Sequence, residues 1–213
     1  MIRIALTQRS VTAPTGEVRD CLDQRWAALL ESWGCLTVPL PTAITDLDRY
    51  LGALAPDAII LTGGNDLASL PDAQDPTPDR DRLERRVVAW CEAKDVPLIG
   101  VCRGMQLLAH LQGIPLRRAD GHVARRHRVI VDGGPNDGDG VHEVNTFHSY
   151  VIRADDLPAS LRAFALDEDG NVEGFTDRDR RQAAIMWHPE REPAPTSWGA
   201  RILLDLLQET AGA

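Results

Sequence analysis

Apolar residues fall into two kinds of run along this chain. Ile2–Thr7, Cys35–Pro39, Asp57–Leu61 and Pro97–Val101 are short and mostly apolar from end to end. Such blocks suit strands covered on both faces. Between them, apolar residues recur at helical spacing in Cys21–Trp33, Asp46–Leu54, Asp79–Lys94 and Arg103–Leu111. Gly34 closes the first of these, and Asp79 is the expected N-cap of the third. Strands alternating with helices predict an α/β fold: a mainly parallel central sheet flanked by helices on both faces.

Beyond Gly113 the pattern changes. Shorter alternating runs follow at Val123–Val131, Val141–Phe147, Arg162–Leu166, Val172–Phe175 and Ala183–Trp187, and a smaller antiparallel strand portion is expected in this half of the chain. Asp132–Gly140 reads as an exposed turn, Asn65–Pro78 as a Pro- and Asp-rich loop, and Ser197–Thr210 as a last helix. There is no repeat and no long linker, so residues 1–213 are expected to form one domain.

Composition changes this picture little. A hydrophobic share of 43% supports a full core, and a net charge of −9 argues against a nucleic-acid partner. The N-terminal run lacks a signal-peptide pattern and no stretch approaches membrane-spanning length, so a cytoplasmic protein without membrane association is expected. Cys21, Cys35, Cys91 and Cys102 form no CxxC pair, which suits free thiols in a reducing compartment.

The candidate chemistry centres on Cys102. An apolar strand stops at this residue, a helical pattern follows at once, and Gly100 and Gly104 stand two positions to either side. This is the form of a nucleophile elbow. The helix N-terminus behind the sulfur favours thiolate. A cysteine nucleophile needs a base, an orienter for it and donors for the oxyanion. His188 follows directly on the strand Ala183–Trp187, at the sheet edge where Cys102 also lies. Glu190, beyond Pro189, is placed to hold its imidazole. The backbone N–H of Arg103 and the Gly63-Gly64 turn are the oxyanion candidates.

Arg9, just past the first strand, and Arg25, in the following helix, are candidate clamps for a carboxylate or phosphate. Arg125, Arg126 and Arg128 read as a solvated strand, or as contacts to an anionic leaving group. No metal centre is expected, because strand alternation places His122 and His127 on opposite faces.

Gly100-x-Cys102-x-Gly104-x-Gln106 with downstream His188-Pro189-Glu190 resembles the class I glutamine amidotransferase superfamily, of flavodoxin-like fold. Gly121-His122, Asn145-Thr146-Phe147-His148 and Asp169-Gly170-Asn171-Val172-Glu173-Gly174 look like its γ-glutamyl hydrolase branch (peptidase C26-like, including γ-glutamyl-γ-aminobutyrate hydrolases). Leu6–Arg9, Asp20–Trp26 and Leu61–Asp66 resemble a subtype acting on a γ-glutamyl-CDP-amidate. The resemblance implies a Cys102–His188–Glu190 triad, with Gln106 lining the glutamyl pocket and His148 beside the substrate. It also implies a γ-glutamyl thioester, released as glutamate without a cofactor. Many relatives carry paired glycines after the elbow helix, where this chain has Gln112-Gly113.

The resulting expectation is a cysteine-dependent hydrolase of a small γ-glutamyl compound. One alternative is a glutaminase subunit feeding ammonia to a partner synthase. Another is an inactive binding protein on the same fold. The leaving group, and whether the chain forms a homodimer, are not legible in the sequence.

Overall fold

The structure is a computed structural model, and it describes residues 1–119, 121–135, 138–177 and 179–212. Its centre is a nine-stranded sheet. One half comprises β1 (Ile2–Leu6), β4 (Cys35–Pro39), β5 (Ala58–Leu61), β6 (Leu98–Val101) and β13 (Gln182–Ile185), paired in parallel in the order β4-β1-β5-β6-β13. The sheet continues antiparallel through β12 (Val172–Asp177), β11 (Arg162–Asp167), β8 (Val123–Val131) and β9 (Gly140–Phe147). The antiparallel portion is therefore an extension of the parallel sheet.

Each inner parallel strand feeds two cores. Ala5, Ile59, Leu61 and Leu98 face α2 (Leu47–Leu54), α3 (Pro78–Lys94) and α4 (Arg103–Leu111). Their neighbours Ile4, Leu6, Ile60, Ile99 and Val101 face α1 (Gln24–Ser32) and α5 (Trp198–Gly212). This two-sided burial is why these strands read as continuous apolar blocks. It also brings the carboxyl ends of β1, β5, β6 and β13 to one edge, where open α/β sheets place ligands.

Several local expectations need correction. The segment from Arg9 to Cys21 forms a separate hairpin, β2 (Arg9–Thr12) with β3 (Val18–Cys21), so helix α1 starts only at Gln24. Asp23 caps α1 by accepting from the Arg25 N–H. Helix α3 starts two positions earlier than expected, with Thr77 rather than Asp79 as N-cap and Pro78 in its first turn. β7 (Arg117–Arg118) and β10 (Tyr150–Val151) form a further two-stranded sheet. Within the turn expected at Asp132–Gly140, Asn136 and Asp137 lie outside the described residues. The described part is tied by Asp139, which accepts from the Gly133 N–H at 2.6 Å, and Pro135 is buried. Among the described residues, no helix is long and apolar enough to cross a membrane.

Candidate active site

Cys102 joins β6 to α4 with φ 53° and ψ −104°, a conformation that side chains other than glycine rarely adopt. Packing holds it there. The Cys102 N–H donates to the Ile185 carbonyl at 2.8 Å, and its carbonyl accepts from the Gln106 N–H at 3.0 Å. The flanking glycines allow the turn to close. A Cβ on Gly100 would lie 2.7 Å from the Gly104 carbonyl carbon, and one on Gly104 would run into the Leu61 carbonyl.

His188 follows β13 and is buried. Its Nδ1 is 2.8 Å from Glu190 Oε1, within the short 3-10 turn Pro189–Arg191. Asn145, at the end of β9, clamps the same backbone. Its Nδ2 donates to the His188 carbonyl at 2.7 Å, and its Oδ1 accepts from the His188 N–H at 3.0 Å. Glu192 in turn accepts from Asn145 Nδ2 at 2.6 Å. Phe147 meets the imidazole edge-on with ring centroids 5.6 Å apart.

Charge sorts these groups into a pair. Burial alone would push the Cys102 thiol up, but the charge of His188, its hydrogen bond to the sulfur and the charge of His148 outweigh burial and hold the thiol below its ordinary value. Burial favours neutral His188, yet the Cys102 thiolate and Glu190 carry its pKa up to about 9. Both shifts favour a thiolate–imidazolium pair.

The turn after β5 is fixed from behind by a buried arginine. Arg80 donates to the carbonyls of Thr62 at 2.6 Å, Gly63 at 3.1 Å and Gly64 at 2.5 Å. Peptide N–H groups point opposite their carbonyls in trans bonds, so the N–H groups of Gly63, Gly64 and Asn65 face away from Arg80. Arg80 also pairs with buried Glu84 at 2.8 Å, and Glu84 and Asp81 pair with Arg103. The Arg103 side chain thus turns into the interior, leaving its backbone N–H beside Cys102. Burial pushes Arg80 down to about 10 despite Glu84, and burial of Glu84 is outweighed by Arg103 and Arg80, which hold it ionised.

Two clefts meet here. One, of about 230 Å³, is lined by Cys102, Gln106, Gly64, His148, Asp66 and Asp75 among others. The other, of about 210 Å³, is lined by Arg9, Trp26, Gly63, His188, Glu190 and Arg191 among others. Gln106 and His148 line the first cleft, and Arg9 lines the second. Arg25 does not line either cleft; it is exposed and held by Asp23, with Nη2 at 2.6 Å from Oδ2. Arg191, which the sequence reading passed over, lies 4.6 Å above the Phe147 ring and lines both clefts. Arg126 of β8 is engaged by Glu143 and Glu192.

The expectation that His122 and His127 lie on opposite faces is overturned. Between them, β8 shifts register against β9 at Ala124, whose φ is 56°. This bulge adds a residue to the alternation and returns both imidazoles to one face. There they join Asp167 and Glu173, with one ligand-type atom from each lying within 4.8 Å of all the others.

The same architecture occurs in a glutamine amidotransferase from Thermotoga maritima, with a TM-score of 0.70 at 16% identity, covering 100% of this chain and 99% of that one. A γ-glutamyl-CDP-amidate hydrolase from Campylobacter jejuni is 31% identical over 193 residues, 89% of this chain and 90% of that protein. One component of a glutamine-hydrolyzing GMP synthase from Natronomonas pharaonis is 28% identical over 151 residues, 70% and 74% of the two chains. The peptidase C26 family model matches residues 2–190, and the chain belongs to that family.

Proposed function

We propose that this protein is a hydrolase of γ-glutamyl amides, working through a γ-glutamyl thioester on Cys102. The observation that carries the reading is the buried Cys102–His188–Glu190 line at the sheet edge, with Nδ1 of His188 held at 2.8 Å by Glu190. The Cys102 thiolate attacks the δ-carbonyl. The N–H groups of Gly63, Gly64 and Arg103 stabilise the oxyanion, a contribution worth about 2.7–4 kcal/mol per donor in comparable sites. His188 gives its proton to the leaving nitrogen. It then takes one from the water that hydrolyses the thioester to glutamate.

The two clefts divide the substrate between them. The Cys102–Gln106 cleft takes the glutamyl half, and Asp66 and Asp75 there suit its ammonium group. The cleft beyond His188 takes the leaving half. Its Arg9 and Arg191 favour an anionic group such as a nucleotide amidate, the chemistry named for the Campylobacter relative. Glutamate release should be measured across γ-glutamyl amines, peptides, nucleotide amidates and glutamine. Turnover should be highest with a phosphorylated leaving group. Absence of glutamate release from every γ-glutamyl amide would overturn the reading.

The similarity to a component of a glutamine-hydrolyzing synthase supports a second reading, a glutaminase supplying a partner. Free glutamine as the best substrate, with stimulation by a synthase, would favour it.

A further inference from the structure

Behind the wall of the glutamyl cleft lies a group of ionisable side chains that the proposed reaction does not use. Glu173, on β12, is fully buried. His127 Nε2 approaches its Oε2 at 3.3 Å, and His148 Nε2 approaches its Oε1 at 3.4 Å. Neither approach has hydrogen-bond geometry: both carboxylate oxygens and both imidazole nitrogens are buried without a hydrogen-bond partner, as is Nδ1 of His122. Ion pairing with protonated imidazoles accounts for part of this arrangement, but the missing hydrogen-bond geometry and the unpartnered Nδ1 of His122 still need an account, since buried polar groups are normally satisfied. His122 completes the ring, with Nε2 4.0 Å from Asp167 Oδ2.

The spacings suit a shared ion. Ligand atoms held about 2.0–2.2 Å from one tetrahedral centre lie roughly 3.3–3.6 Å from each other. The His127–Glu173 pair already has that separation and the His122–Asp167 pair stands at 4.0 Å, while the four ligand atoms as a set lie within 4.8 Å, so binding draws the set inward by up to about 1.5 Å. Two imidazoles with two carboxylates form a neutral set around a dication, mixing borderline nitrogen with hard oxygen donors. Asp167 is already oriented as outer hydrogen bonds orient a ligating carboxylate. Its Oδ1 accepts from the N–H groups of Asp169 at 2.9 Å and Asn171 at 2.8 Å, and its Oδ2 accepts from Asn171 Nδ2 at 2.7 Å. The Ala124 bulge, which breaks the strand's alternation, has the effect of delivering His122 to this group. Both His122 and His127 retain partial exposure, 12% and 18% of the side chain, which leaves an entry route.

We propose that His122, His127, Asp167 and Glu173 form a binding site for a divalent transition-metal ion of the zinc type. The ion ties β8, β11 and β12 together beside His148, which stands between this group and the Cys102 cleft. The site rests on its own geometry and does not depend on the hydrolase reading.

The test uses full-length protein carrying Cys102→Ala, so that the thiolate cannot compete for metal. After chelator treatment and dialysis, Co2+ and Zn2+ are titrated in turn. The expected result is one saturable equivalent, visible Co2+ absorption without thiolate charge transfer, and a rise in Tm on Zn2+ addition. His127→Asn and Glu173→Gln should each abolish all three effects. Should either variant fail to fold by circular dichroism, His122→Asn, whose side chain reaches the surface, supplies the same readout. Absence of saturable binding would overturn the proposal, as would binding unchanged in folded His122→Asn and His127→Asn variants.

Discussion

Replacing Gly63 with alanine separates the space around the nucleophile from the backbone donors. Gly63 does not have a positive φ, so alanine can adopt its backbone conformation and keeps its N–H. The new Cβ would lie 2.5 Å from His188 Cε1, 3.3 Å from Nε2 and 3.4 Å from Cys102 Cβ. Carbon atoms in contact normally stand about 3.5–4.0 Å apart, so the imidazole must retreat by roughly 1 Å. It has little room, because Glu190 holds Nδ1 and Asn145 holds both backbone groups. A misplacement of about 1 Å at reacting groups costs on the order of 10²-fold in rate. Stability should change far less: overpacking costs about 1–3 kcal/mol, partly offset by about 0.4–1 kcal/mol from a stiffer unfolded chain. The assay is kcat/KM for glutamate release, alongside the rate of Cys102 alkylation and the urea midpoint. Gly64→Ala is the control. There φ is +83°, the nearest atom is Arg9 Cβ at 3.4 Å, and His188 is not among the nearest atoms, so the backbone should lose about 1–2 kcal/mol. A Gly63→Ala protein within a factor of about 3 of the parent in both rate assays would refute the reasoning.

Four further outcomes are expected. Alkylation of Cys102 should already be fast below the ordinary thiol range, because its thiolate forms early, whereas turnover should fall as pH rises through about 9, where His188 loses the proton it gives to the leaving nitrogen; a pH–rate profile that keeps rising past that point would contradict the ion pair. Glu190→Gln should lower kcat by on the order of 10²–10⁴ with little change in KM, as loss of the orienting carboxylate does in related triads; steady-state kinetics read this directly. Arg80→Ala removes a partner from buried Glu84 and should lower the unfolding free energy by about 3–5 kcal/mol in denaturant titrations. Arg9→Ala should reduce kcat/KM about 10- to 100-fold for phosphorylated leaving groups, the worth of a charged hydrogen bond, and leave neutral γ-glutamyl amines unchanged.

The parallel half of the sheet was legible because its strands are covered on both faces, which leaves continuous apolar blocks such as Ala58–Leu61 and Leu98–Val101. The elbow was legible because close packing against Leu61 and within the turn demands glycine at positions 100 and 104. The hairpin Arg9–Cys21 was not, since it is a largely exposed pair of strands whose side chains carry no burial pattern. The buried charges of α3 were equally hidden. Arg80, Asp81 and Glu84 sit in a charge-rich helix and resemble a solvated face, and only the fold brings Arg103 against them. His122 and His127 were misplaced because alternation assumes an unbroken strand, and nothing in Val123-Ala124-Arg125 announces a bulge. Asn145 carries no local signal for clamping His188, which is 43 residues away.

The most direct test is to acid-quench the enzyme during turnover of a γ-glutamyl amide and map adducts by peptide mass spectrometry. A γ-glutamyl group on the Cys102 peptide of the parent, and its loss together with all turnover in Cys102→Ala, are the outcomes the thioester mechanism predicts. Turnover that persists in Cys102→Ala, with no adduct on the parent, would contradict it.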